Sequence, residues 1–125
     1  MSIETWKQEF YPVPASANMT DKEAIEHAIL KWEGFEAKNR KKHKLNRLAH
    51  ILIDEHACEF IFGIMTCSLC LKYFNNGCNS CPFSVQGYNC KNIKSPYRKA
   101  MRGNPSVLIA ALKECLILEN QELKS

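Results

Sequence analysis

Between Phe60 and Lys113 the chain contains neither aspartate nor glutamate. A stretch that long without an acid cannot neutralise its own cations, so the middle of this 125-residue sequence presents positive charge. A long apolar run is equally missing. The longest, such as "FIFGIM" at residues 60–65, is far too short to span a membrane as a helix. The opening stretch, "MSIETWKQEF", has neither the basic flank nor the apolar segment of an export signal, so a soluble, cytosolic protein is expected. There is no glycine-rich phosphate loop, no nucleophile elbow and no His-Glu-x-x-His spacing. These absences argue against an enzyme.

Cysteine, by contrast, is abundant. Five of the seven cysteines fall between Thr66 and Cys90, in the pattern Cys67-x2-Cys70-x7-Cys78-x2-Cys81-x8-Cys90. In reducing cytosol such thiols bind metal or do redox chemistry more often than they form disulfides. A Cys-x2-Cys pair lets two thiolates converge on one ion from a tight turn, and two pairs complete a tetrahedral zinc site. Asn75, Asn76, Gly77 and Asn79 tolerate the left-handed backbone that such a loop requires. Four closed thiolates make a structural Zn²⁺ site, which supplies folding energy to a segment poor in apolar side chains. Five thiols for four places leave two ligand sets open: both pairs, or Cys67 and Cys70 with Cys81 and Cys90. An iron–sulfur cluster also takes four thiolates, but neither ferredoxin spacing matches. Cys58 and Cys115 lie in helical patterns and read as small buried hydrophobes.

Charge is distributed unevenly. Residues 1–37 carry a net −4, residues 38–113 a net +10 and the last twelve −2. Lys38, Arg40, Lys41, Lys42, Lys44 and Arg47 form one basic group. Lys91, Lys94, Arg98, Lys99 and Arg102 form another, with Tyr88 and Tyr97 available for stacking. Either group could meet an acidic protein surface or phosphates. The basic residues are not interleaved with a regular series of aromatics, as a strand-tracking groove would prefer, so a protein partner is favoured over nucleic acid or nucleotide. His50 and Asp54 are spaced for one helical face and His56 lies nearby, but His50 and His56 fall on different faces. They read as surface histidines.

The periodicity predicts one mainly helical domain: three or four helices packed around the zinc-bound loop, with little or no sheet. Ile3, Trp6 and Phe10 mark a short first helix, which Pro12 and Pro14 break off. Thr20 and Glu23 form a capping box for a second, striped with Ala24, Ile25, Ala28, Ile29 and Trp32 and ended by Gly34. "AKNRKKHKLNRL" is a loop or a solvated helical turn. Leu45, Leu48, Ala49, Leu52 and Cys58 suggest a long helix, which "EFIFGIM" either closes or follows as a strand. Ser95–Pro96 and Asn104–Pro105 are helix starts. The last helix carries Val107, Leu108, Ala111, Leu112, Cys115 and Leu118 on its apolar face.

Taken together, "KWEGF", "KKHKL", "CSLCLKYF", "CNSCPF", "GYNC" and "SPYRKAM" resemble the layout of small cysteine-rich accessory proteins of tailed bacteriophages, over about residues 22–112. One departure is the turn before Leu45, which reads Lys-His-Lys where that layout has a glycine before the leucine. The resemblance implies expression in an infected bacterial cytoplasm. It also implies a non-enzymatic task in host takeover or counter-defence, through binding and inhibiting a host protein.

Overall fold

Helix α1 (Ile3–Phe10) in the computed structural model, which describes residues 2–73 and 95–124, opens on a reciprocal cap. Ser2 Oγ accepts from the Thr5 N–H at 3.3 Å, and the Ser2 N–H donates to Thr5 Oγ1 at 2.9 Å. The expected stripe of Ile3, Trp6 and Phe10 is buried. Helix α2 (Asp21–Gly34) carries the capping box in full: Glu23 N–H to Thr20 Oγ1, and Thr20 N–H to Glu23 Oε1, both at 3.1 Å. All five residues of its stripe are buried. Gly34 does more than end the helix. A Cβ there would lie 2.6 Å from Phe10 Cγ and 2.8 Å from Trp6 Cζ2, while Trp6 Nε1 donates to the Gly34 carbonyl at 2.9 Å. Only glycine lets α1 and α2 approach this closely.

The polar stretch after it does form a helical turn, α3 (Ala37–Lys42). It closes with the Leu45 N–H on the Arg40 carbonyl at 2.8 Å and the Lys44 N–H on that of Lys41 at 3.2 Å. This double closure sets Lys44 at φ 56, in the left-handed region. Lys44 thus takes a conformation that glycine adopts without steric cost.

The long helix expected from Leu45 to Cys58 does not form. Three short antiparallel strands stand there, β1 (Asn46–Leu48), β2 (Ile51–Ile53) and β3 (Glu59–Ile61), in the order β1-β2-β3. Of the two readings left open for "EFIFGIM", the strand is the one found. Alternation decides it: Phe60 and Phe62 point inward while Ile61, between them, is exposed. The β1–β2 turn places Ala49 at φ 54, and the β2–β3 turn places Ala57 at φ 62. Cross-strand partners share a face. Leu52 and Phe60 face the core with Arg47 opposite them, while Leu48, Ile51 and Ile61 make an aliphatic row on the outer face. Cys58 lies exposed in the second turn and is not the buried hydrophobe expected.

A 3-10 turn (Ile64–Thr66) leads into α4 (Ser68–Tyr73). Helix α5 (Pro96–Met101) starts on the Ser95 cap as expected, and α6 (Ser106–Lys124) packs along α2. Leu108, Ala111, Leu112 and Cys115 of α6 are buried, joined by Ile109, while Val107 is exposed. The chain is mainly helical, with six α-helices among the described residues rather than three or four, and with a small sheet.

Aromatic rings form the centre of the core. Phe62 lies 4.7 Å from both Trp32 and Phe35 and 5.8 Å from Trp6, which in turn lies 4.8 Å from Phe60. Each such pair contributes roughly 0.5–1.5 kcal/mol beyond the area it buries. This cluster joins α1, α2 and the sheet, and the first cysteine pair lies beside it.

Candidate metal centre and basic face

Of the five candidate metal ligands, Cys67 and Cys70 are described; Cys78, Cys81 and Cys90 lie outside the described residues. Among the described residues no three His, Cys, Asp or Glu side chains gather as a metal site. The two described thiols do behave as a converging pair. Cys67 follows the 3-10 turn and Cys70 sits one turn later on α4, both half-buried. The Cys70 side chain bonds to the Cys67 sulfur and is the largest influence on that thiol. Burial opposes it, but the Lys31 ammonium and the Cys70 and Leu69 backbone N–H groups add to it. The net result holds Cys67 down at about 5. A thiol of that kind is an anion at neutral pH, the form that binds metal. The backbone donors are outer partners of the sort that orient a metal-bound thiolate. The pair therefore fits half of a four-thiolate site.

Sequence reasoning overlooked the neighbour. Lys31 is buried at 1% exposure on the inner face of α2. Its Nζ donates to the Thr66 carbonyl at 2.8 Å and lies 5.5 Å from the ring centroids of both Trp32 and Phe62. Burial pulls its pKa down, and the charges of Cys67 and Cys70 pull it back up. A signal for it existed. Lys31 falls three residues after Ala28 and seven after Ala24, on the apolar stripe itself.

The basic residues divide into distinct environments. Lys38, Lys41, Lys42 and Lys44 are exposed on and after α3. Lys42 is engaged with Glu9 at 2.6 Å, and the buried His43 meets the same carboxylate at 3.3 Å, fastening α3 to α1. Arg40 donates from Nε to the Phe35 carbonyl at 3.0 Å and lies over the Phe35 ring. Arg47 donates to the Ala49 carbonyl at 3.0 Å. Burial lowers the pKa of Arg40, and the like charge of Arg47 lowers it further, so these two guanidiniums are neighbours.

Arg47 also reaches the second basic group. Gly103, which follows Arg102 at the end of α5, stands at φ 102, and a Cβ there would lie 2.8 Å from Arg47 Cζ. The Arg47 guanidinium thus lies flat over the α5–α6 turn. Arg98, Lys99 and Arg102 are exposed on and beside α5. Arg47 of the first basic group thus packs against the turn that follows Arg102 of the second. Lys94, Lys91 and Tyr88 lie outside the described residues. Of the first group, Lys42 is paired with a carboxylate, that of Glu9.

The shared helical face expected for His50 and Asp54 does not form. His50 sits in the hairpin turn and Asp54 follows β2, so no helical face joins them. The Asp54 carboxylate accepts from the Ile3 N–H at 3.1 Å, from Cys58 N–H at 3.0 Å and from His56 N–H at 2.8 Å. These bonds, that from Ile3 foremost, hold its pKa below the ordinary value.

Among the described residues no helix is long and apolar enough to cross a membrane. No protein-family model, curated protein or solved structure matches the chain.

Proposed function

We propose that this chain is a non-enzymatic accessory protein of the phage type, which binds and inhibits a host protein in the infected bacterial cytoplasm. A structural Zn²⁺ orders its cysteine-rich segment, and its basic face carries the binding. The observation that supports this reading is the place of Arg47, which acts on Arg40 as a like charge and packs on the turn that follows Arg102; an acidic partner relieves the repulsion between the two guanidiniums. The sheet that carries Arg47 also exposes Leu48 at 65% and Ile61 at 50% on its outer face. These aliphatic side chains, on the face of the sheet opposite Arg47, offer apolar surface of the kind a protein partner covers, since protein interfaces combine an apolar core with a polar rim.

A nucleic acid or nucleotide is the second reading, because paired guanidiniums also suit phosphate. Pull-down from bacterial lysate with and without nuclease separates the two. The protein-partner reading expects the same captured protein in both arms. Capture that disappears on nuclease treatment, or a nucleotide retained through purification, transfers the proposal to phosphate. Changing Lys38, Lys41 and Lys44 to Glu should slow association more than it speeds dissociation, as rim charges that steer encounter do.

A further inference from the structure

Two open hollows, of about 480 and 470 Å³, follow one another along the outer face of α2. They share Glu26 and Leu30, and so form one groove. The first is bounded by the segment at Pro12 and Val13, which His27 of α2 holds in place: its Nε2 donates to the Val13 carbonyl at 2.6 Å. The second is bounded by Leu116 and Ile117 of α6, the helix that packs along α2. The floor is apolar. Met19, Leu30 and Leu116 pack against the core from below, while Val13 and Ile117 stand 54% and 58% exposed, one in each hollow. Exposed apolar side chains gathered in a groove mark a surface that something covers.

The edge of the groove is acidic. Glu23, Glu26, Leu30 and Glu33 stand at i, i+3, i+7 and i+10 of α2, along one face of the helix. At 1.5 Å per residue that line is about 15 Å long. Among the described residues neither Glu26 nor Glu33 is in an ion pair, and Lys113 is the one lysine or arginine lining the groove. An apolar trough beside two packed helices is filled by a third helix, with apolar residues at i, i+3 or i+4 and i+7. A row of unpaired carboxylates requires that this helix carry lysine or arginine beside its stripe. A second copy of the chain has no such helix to offer among its described residues: α3 holds exposed cations but no large apolar side chain, and α2 is itself acidic.

We propose that this groove is a docking site for a cationic amphipathic helix of a partner protein, about three turns long. The proposal requires neither the metal nor the basic face, and it gives the chain two binding surfaces of opposite sign.

The test uses the full chain and a labelled synthetic helix of about 18 residues, long enough to hold its fold in water, with leucine on one face and lysine on either side. Its control is the same helix with glutamate in place of lysine. In fluorescence anisotropy the lysine helix should bind at least about tenfold more tightly than the glutamate helix, because like charges across an interface repel. Glu26→Lys with Glu33→Lys should weaken the lysine helix about tenfold or more, and should strengthen the glutamate helix. Val13→Ser with Ile117→Ser should weaken the lysine helix by a similar factor of about ten, as loss of apolar anchors does. None of these four side chains is buried, so the melting curves should match that of the parent. Should the charge reversal disturb the fold, Glu26→Gln with Glu33→Gln keeps the shape and should still weaken the lysine helix about threefold. Equal binding of the two helices, no saturable binding of the lysine helix, or an affinity that neither pair of substitutions changes overturns the proposal. So does a parent that sediments as a dimer and is dispersed by Ile117→Ser, since a second copy would then cover the groove.

Discussion

Lys31 and the lysines of α3 are a few residues apart in sequence, yet they face opposite environments. On α2, Lys31 sits under two aromatic rings with its ammonium on a carbonyl. On and after α3, Lys38, Lys41 and Lys44 stand in water. The first region uses charge internally, where low dielectric makes one cation count for much. The second displays charge, where each cation alone counts for little in stability and acts mainly on encounter. The lesson is that net charge along the sequence measures only the displayed kind. Lys31 falls in the segment whose sum is acidic, yet among the described residues it is the one lysine or arginine that is buried.

The sharpest way to break this contrast is to remove the metal. One zinc per chain is expected by elemental analysis, and a strong chelator should lower the thermal midpoint. Cys67→Ser should do the same under either ligand set, and Cys78→Ser against Cys90→Ser should tell the sets apart by zinc content. A melting curve indifferent to chelation would defeat the structural role of the metal.

Next in size is the aromatic roof over that lysine. Trp32→Ala should cost about 3–5 kcal/mol in denaturant unfolding, as large-to-small core changes do. Trp32 is 2% exposed. A loss below about 1 kcal/mol would mean that the core had closed around the gap. The displayed lysines should behave in the contrary way: Lys38, Lys41 and Lys44 changed together to Glu should move stability by no more than about 0.5 kcal/mol per site. Partner association, measured by surface-bound kinetics, should nonetheless slow.

An intermediate case is Lys72, which bonds Asp21 at 2.8 Å, while Tyr73 donates to the same oxygen at 2.6 Å. Burial pushes the Asp21 carboxyl up, yet these bonds together outweigh it and leave the pKa below its ordinary value. A lowered carboxyl stabilises the fold above its unfolded pKa, and that stabilisation is lost as pH falls through the folded one. Asp21→Asn should therefore flatten the loss of stability below about pH 4, followed by thermal melting across the acid range. A small effect of the opposite sign is expected at Lys44. Replacing it with Gly at φ 56 should raise stability by roughly 0.4–1 kcal/mol, and at the same time weaken partner association by removing one displayed charge.

Much of the helical frame was legible because its signals are local. The Thr20–Glu23 box, the Ser95–Pro96 start and the stripes of α1 and α2 are written within a few residues of where they act. The hairpin was not legible, for a definite reason. Leu45, Leu48 and Leu52 satisfy a helical period, and the residue that turns β1 into β2 is Ala49 at φ 54, where glycine or asparagine would have announced the turn. Phe60 and Phe62 did carry the alternation of a strand, over too short a run to decide alone. The candidate site divides similarly. The spacing of Cys67 and Cys70 points to a shared centre, whereas the lysine beside them comes from another helix. Likewise, the contact of Arg47 with Gly103 joins positions that no sequence window contains together.

The Asp54 carboxylate has a consequence for the order in which the chain assembles. It takes the N–H of Ile3 across 51 positions, as well as those of His56 and Cys58 close by. The eight-residue α1 is too short to persist alone. It can meet α2 at Gly34, but the Asp54 bond and the Trp6–Phe60 contact that complete its docking need the second hairpin. Folding should therefore nucleate on the sheet and α2, with the amino terminus arriving late, so destabilising changes in α1 should speed unfolding while leaving the refolding rate nearly unchanged. A chain stalled before residue 60 would leave Trp6 without its Phe60 and Phe62 partners, which makes the interval between synthesis of the first helix and of the third strand a period of vulnerability to aggregation.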